Sequence, residues 1–532
     1  MFKCWTFFFV FLIPIIAIGK ADKDKPDNSP QSKIKRDIDY IIADRVQGRL
    51  TASSGETIVA DYIEGRFRSL QILPYKNKYK WEFTTKVGMK VGADAYFHLF
   101  NNELTLGNEV IVLPYGNGNL IRGAAMPGVN EKDNVWLLSL KSFQAAQTNN
   151  LQKLLYEQAK LAIDQGAASV VFLNDIDVFQ DIVQLNLTQF EALDKPVVFL
   201  THKAYNAYLK PNLKKDWIIV DGKLGFEESH STGKNVAAMI DNKAPFTVVI
   251  AAHFDHLGNL GANYKGADDN ASGVAGLLAI AEQIKIAGLR NYNYLFIAFS
   301  GKEQNLQGSK NFLQQNEFII NSIACMIDLD MIGRYNISTK DIYLAGYGTS
   351  PSWASILQLS NRGMNIRIDS SGYNYSDCTT FYEKNIPVLR ISTGYHNDYM
   401  KPTDDISKLN LNGIVDIAAF VTRIVGEIDR RSKPIFTKTT DLLPKLEKMK
   451  SNIGIIPDFT YTGQGIKIAA VIPNKVASTA GMMSGDIITK IGVYTLYDMD
   501  DYMEAMKKTE QGREVTVIAK RDKSEFKFFV VL

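Results

Sequence analysis

Four short segments of this chain carry residues whose types could do chemistry together. VVIAAHFDH holds His253 and Asp255, GADDNASG holds Asp268 and Asp269, FSGKE holds Lys302 and Glu303, and MIDLDMIG holds Asp328 and Asp330. One imidazole and several carboxylates converging on one crevice make a site for a divalent metal, because zinc takes nitrogen and oxygen ligands at about 2.0–2.2 Å. Each residue alone has a plainer use: an Asp before a helix caps it, and a Glu after a glycine is a solvated loop charge. Their concurrence favours the metal. Three of the six histidines, His253, His256 and His396, sit beside these segments, and adjacent Asp268 and Asp269 repel one another without a counter-cation.

The elements that must position these groups lie between residues 246 and 430. There apolar runs and helical spacing alternate: FTVVIAAHFD, ASGVAGLLAIAEQI, YNYLFIAFSG, GSKNFLQQ, SIACMIDLDMIG, SWASILQLSNR, IPVLRIST and a long final helix from Leu411. Such alternation specifies an α/β sheet with helices on both faces. Functional groups gather at the carboxyl ends of strands in an open α/β sheet, which is where these residues fall. Upstream, IDYIIADRVQGRL and TIVADYIEGRFRSL show helical spacing. Residues 96–230 change to short β-rich runs (EVIVLP, NVWLLSL, ASVVFLND, KPVVFLTH) around one helix, LQKLLYEQAKLAIDQGA, that stops at Gly166.

At 532 residues with 46% hydrophobic and 22% charged residues, the composition is that of a globular protein of about three domains. A net charge of +3 gives no argument for nucleic acid or anionic lipid. Lys3, the apolar run Trp5–Ile18 and small residues at Gly19 and Ala21 read as a secretory signal peptide, too short and too interrupted by Pro14 for a spanning helix. The expected location is therefore outside the cytoplasm, periplasmic or secreted, with no membrane contact after signal cleavage. Cys4 precedes the apolar run. Cys325 and Cys378 alone do not make a disulfide framework.

The four segments, in this order, resemble the co-catalytic zinc aminopeptidase and glutamate-carboxypeptidase-like metallopeptidases, whose pattern runs H-x-D, G-A-D-D-N-x-S-G, G-E-E, L-D-M-I-G, S-D-H and Y-H-x-P. The resemblance covers roughly residues 35–95 and 231–430, and implies a zinc-exopeptidase-type mixed sheet with helices on both faces. It makes His253 a zinc ligand and Asp255 the carboxylate that orients it. It makes Asp269 the bridging carboxylate, Glu303 a ligand of the other metal, and Asp330 a ligand of the metal held by His253. In that family the metals activate a water and the first Glu of G-E-E is the general base.

Three positions depart from the pattern. Lys302 stands at the general base, and an ammonium has no lone pair to accept a proton. Met400, in GYHNDYMKPTDD, stands at the last histidine ligand, and a thioether suits copper(I) better than zinc. Cys378 replaces the histidine of S-D-H, after Ser376 and Asp377. The expectation is an impaired or silent centre with one zinc ion or none, on His253, Asp269 and Asp330, the Lys302 charge replacing a lost cation. His396 could reach in for the missing ligand. The alternative is a working single-metal exopeptidase with another base, such as Asp328.

The expected organisation is a signal peptide (1–21), a polar linker (22–34), the exopeptidase-like domain (35–95 and 231–432), an insert (96–230), a Lys- and Thr-rich linker (433–445) and a small β-rich unit (446–532). The insert resembles a protease-associated domain and the last unit a PDZ domain. In the latter, Gly463, Gln464, Gly465 and Ile466 would form the carboxylate-binding turn and a helix near Met499–Lys507 would line the groove, with peptides or protein C-termini as partners. A third alternative makes this unit the working part and the peptidase fold its scaffold.

Overall fold

A computed structural model describes residues 27–113, 115–116, 120–143, 151–176, 193–259, 262–440, 453–472, 475–509, 512–522 and 524–531. The expected signal peptide and residues 441–452 lie outside the described residues. Among those described, no helix is long and apolar enough to cross a membrane. The chain forms two compact units, one of residues 1–81 with 234–532 and the other of residues 82–233.

The first unit is built on a mixed sheet. Its centre is four parallel strands, Asn293–Phe299, Thr247–His253, Ile323–Leu329 and Val388–Ser392. These are the apolar runs of the sequence, and all seven residues of each of the first three are buried. Alternate residues of Thr247–His253 enter different cores. Val248, Ile250 and Ala252 pack with helices Pro30–Ile41, Ser54–Ser69, Gly273–Ala287, Ser352–Ser360 and Leu411–Asp429. Val249 and Ala251 pack on the other face with Phe312 and Phe381 of helices Gln307–Gln315 and Cys378–Tyr382. Burial on both faces is why these strands read as unbroken apolar runs rather than alternating ones. The edges are antiparallel: Phe226–Ile240 on one side, and Asp341–Ala345 with its parallel neighbour Asn365–Asp369 on the other.

Two boundaries differ from expectation. The first helix begins at Pro30, inside the expected linker, because the Ser29 side chain accepts the Ser32 amide as an N-cap and a proline fits the first turn. Residues 433–440 are laid on the core rather than free, the Thr437 amide donating to the Thr349 carbonyl at 2.8 Å and the Thr439 amide to the Tyr382 hydroxyl at 3.0 Å.

The second unit holds two four-stranded sheets. One has the order Asn102–Glu103, Tyr96–Leu99, Ile218–Lys223, Leu120–Ala125. The other has the order Val110–Val112, Val197–Leu200, Ser169–Leu173, Val135–Ser139. Helix Leu151–Asp164 joins the parallel pair Val135–Ser139 and Ser169–Leu173, and ends where Gly166 takes φ +104°. The unit's bounds, 82–233, are wider than 96–230 because strands Lys80–Val91 and Phe226–Ile240 run on into it.

At the C-terminal end of the first unit, strands Ile455–Pro457, Ile466–Val471, Ile487–Ile491, Glu514–Arg521 and Ser524–Val531 pair in that order. Ile468, Ile488, Val517 and Tyr502 of helix Met499–Lys508 share their core. Strand Ile466–Val471, which follows Gly463, Gln464 and Gly465, is hydrogen-bonded on both sides, to Ile455–Pro457 and to Ile487–Ile491. Ile466 and Lys467 pair with Ile488 and Ile487, and Ile468, Ala470 and Val471 with Pro457, Ile456 and Ile455. The sheet ends on Ile455–Pro457, which is buried, and on Ser524–Val531, which is largely exposed.

Candidate metal centre

The carboxyl ends of the central strands deliver the site. His253 is the last residue of its strand, Lys302 and Glu303 follow Asn293–Phe299 by a turn at Gly301, and Asp330 follows Ile323–Leu329 directly. Asp269 comes from the turn entering helix Gly273–Ala287. Gly266 opens that turn at φ +52°, where an added Cβ would lie 2.6 Å from the His256 ring, so both the backbone angle and the space call for glycine.

His253 organises the centre. Its Nδ1 faces Asp255, 3.2 Å from the backbone oxygen and 3.6 Å from the carboxylate. A proton on Nδ1 leaves the lone pair on Nε2. Asp255 is itself fixed by the Thr51 hydroxyl at 3.0 Å and by the amides of Lys302 and Glu303 at 3.2 and 3.1 Å. On the other side, Nε2 lies 3.3 Å from Asp269 Oδ1 and 3.5 Å from Asp330 Oδ1. These three atoms are buried and, among the described residues, have no hydrogen-bond partner. Tetrahedral zinc with bonds of about 2.0–2.2 Å has ligand–ligand edges of roughly 3.3–3.6 Å. The two edges from His253 have the length of zinc-ligand edges, while the group whose ligand atoms all lie within 4.8 Å of one another is His253, Asp269 and Glu303. Burial and the Lys302 charge oppose a proton on His253, but Asp255, Asp269 and Asp330 outweigh them and hold its pKa well above the ordinary value. The point beyond Nε2 demands a positive charge, either a proton or a metal.

The second expected metal position is different. Ligand atoms of His253, Asp269 and Glu303 lie within 4.8 Å of one another, yet Lys302 Nζ is 2.9 Å from Glu303 Oε1 and 3.9 Å from Asp269 Oδ1. Burial works to discharge the ammonium, but Glu303, Asp269 and Asp330 hold its pKa well above the ordinary value. Met400 is half-buried against the cluster of Met331, Tyr399, Ile456 and Ala470, and offers no hard donor. Glu303 is thus already paired with a buried ammonium, and Met400 adds no hard ligand.

Several residues take places that the sequence did not indicate. Asp268 turns away from Asp269 and accepts the Gly333 amide at 2.6 Å and the Ser272 hydroxyl at 3.0 Å. His396 Nε2 lies 3.1 Å from the same Asp268, so His396 does not supply the missing ligand. Cys378 is fully buried in the apolar cluster with Phe299, Phe381 and Val388, where a small thiol packs as a hydrophobe. Asp328 and Asp377 are buried without hydrogen bonds. Burial and mutual repulsion push Asp328 up to about 8, and burial pushes Asp377 up to about 7. Asp328 thus keeps its own proton near neutral pH and makes a poor alternative base.

Two arginines complete the centre unannounced. Arg390 Nε donates to Asp330 Oδ2 at 3.0 Å. Arg49 is fully buried and spans two loops, donating to the carbonyls of Phe254 at 2.5 Å, Gly266 at 2.7 Å, Asp269 at 3.2 Å and Lys265. The available signals were an arginine amid the apolar run IPVLRIST and one at the end of RVQGRL. A cavity of about 330 Å³ opens over Lys302 and Glu303, lined also by Tyr375, Met400, Ile456 and Ile472.

Residues 235–425 match the model of peptidase family M28. Among curated proteins, the chain is 34% identical over 94 residues to the alkaline phosphatase isozyme conversion protein of Escherichia coli, covering 16% of this chain and 27% of that one. It is 37% identical over 101 residues to BOS complex subunit NCLN of Gallus gallus, covering 17% and 18%. To the probable leucine aminopeptidase of Arthroderma benhamiae it is 33% identical over 106 residues, covering 19% and 30%. The chain spans less than a third of the length of these relatives. Among solved structures, a zinc aminopeptidase from Bacillus subtilis is 18% identical with a TM-score of 0.46, covering 76% of this chain and 98% of that one. An aminopeptidase from Aneurinibacillus is 19% identical with a TM-score of 0.45, covering 77% and 95%. Every charged group of the centre except Arg49 lies within the matched segment, so the centre falls in the part of the chain that is similar to peptidase family M28.

Proposed function

We propose that this chain is an exported M28-type protein whose centre holds at most one zinc ion, on His253, Asp269 and Asp330, and turns peptides over slowly or not at all. The observation that carries this reading is the Lys302 ammonium, 2.9 Å from Glu303 and 3.9 Å from Asp269. It supplies one of the positive charges that a second ion would bring, and it blocks the general base at the same stroke. A zinc ion on the remaining triad would act as a Lewis acid and activate a water. Around it, Asp255 orients His253, Arg390 orients Asp330, and Lys302 holds Glu303 without being able to take a proton from a nucleophile. Loss of a general base costs about 10²–10⁴ in rate. One relative is named as a complex subunit rather than as an enzyme, which also supports a binding role.

In this reading the cavity over Lys302 and Glu303 receives peptide ends, residues 96–230 are a protease-associated-like insert, and residues 446–532 are a PDZ-like unit. The test is hydrolysis of leucine p-nitroanilide by the wild type, Lys302→Glu, Met400→His and the double variant, with added zinc. The double variant is expected to exceed the wild type by roughly 10² or more. Wild-type turnover equal to that of the double variant would overturn the proposal.

A further inference from the structure

A second cavity, of about 250 Å³, is lined by Arg390, the partner of Asp330. Its body is apolar and aromatic, with Tyr343, Tyr395, Phe459 and Ile468 among its walls. Its charged groups are almost all committed elsewhere. Asp458 pairs with Lys467 at 3.1 Å and accepts the Thr460 amide and hydroxyl at 3.0 and 2.6 Å. Asp369 accepts the Ser371 amide at 2.9 Å. The exception is Arg390 itself. It hydrogen-bonds through Nε alone, to Asp330, while its guanidinium lies over the Tyr395 ring at 5.6 Å. Among the described residues, its two Nη groups have no hydrogen-bond partner, and Arg390 lines the cavity.

A guanidinium offers five donors in a planar fork, and its two Nη groups match the two oxygens of a carboxylate. An unmet fork inside an aromatic chamber selects an anion of that shape carrying an apolar body. We infer that this cavity is a binding site for small apolar carboxylates, about the size of one large acylated amino-acid residue. The carboxylate engages the Arg390 Nη groups and the apolar body packs among Tyr343, Phe459 and Ile468. Such a ligand has two sources, a free acid or the last residue of a polypeptide, and both present the same chemistry.

The test is calorimetric titration of the full chain with N-acetylphenylalanine and with its neutral amide, in buffer containing a chelator so that a metal ion cannot hold the carboxylate. The acid is expected to bind roughly tenfold or more tightly than the amide, as a charge-assisted hydrogen-bond pair provides. Arg390→Gln removes that preference. Thr460→Trp fills the chamber without touching Arg390 and abolishes binding of the acid with an unchanged melting temperature, so the result does not hang on whether Arg390→Gln folds. An acetylated tripeptide ending in phenylalanine separates the sources: binding near that of the single residue assigns a chain terminus, and exclusion assigns a free acid. Equal affinity for acid and amide, absence of binding by both, or full binding by Thr460→Trp overturns the inference.

Discussion

Lys302 shows how a tethered cation can stand among buried carboxylates. A buried cluster of carboxylates needs cations. Here they are tethered ones: Lys302 beside Glu303 and Asp269, Arg390 beside Asp330. Removing one member of a buried ion pair leaves the other uncompensated, so Lys302→Met is expected to destabilise the protein by about 3–5 kcal/mol in urea denaturation with chelator present. Excess zinc should restore part of that loss in the variant. A second prediction concerns Asp377, which is raised from 3.8 to about 7 by burial above all. A carboxyl whose folded pKa is raised contributes stability that is fully present below its unfolded value and is lost as pH rises through the folded one. Asp377→Asn should therefore be more stable than wild type at pH 8, by on the order of 1 kcal/mol or more, with that advantage gone near pH 2.5, below the unfolded value. Denaturation curves at the two pH values check the sign. Lys302 and Met400 were legible in the sequence because they interrupt fixed motifs. Arg390 was not, because its flanking run reads only as a buried strand, and a strand pattern does not reveal which carboxylate an interior cation meets.

At the scale of elements, the central strands and their helices were legible because burial on both faces leaves long apolar runs. The strands Asp341–Ala345 and Asn365–Asp369 were not, being short and partly exposed at an edge. Also hidden was the device that fixes the ligand turns. Arg49 ties the loop after His253 to the turn of Asp269 through four carbonyls. Lysine keeps the charge but cannot present the same planar fork. Arg49→Lys is expected to cost about 2–4 kcal/mol in stability and to weaken zinc binding at least several-fold, measured by denaturation and by competition with a chromophoric chelator. Loss of stability with unchanged metal affinity would show that the staple does not position Asp269.

At the scale of the first unit, the C-terminal strands contribute to the surroundings of the centre. Ile456 and Ile472 line the cavity over Lys302, and Ile456 packs with Met331 and Tyr399. Ile456→Asp buries a charge in that contact, with an expected cost of about 2–4 kcal/mol and a single, earlier thermal transition. The sequence marks a Lys- and Thr-rich stretch before this unit, and composition does not reveal that Thr437 and Thr439 within it are hydrogen-bonded to the core. The central claim, a centre built for at most one divalent ion, is tested most directly by elemental analysis of the purified full chain after equilibration with zinc and gel filtration. The account predicts one zinc ion per chain or fewer for the wild type and two for the variant carrying Lys302→Glu and Met400→His. Two tightly held zinc ions in the wild type would contradict it.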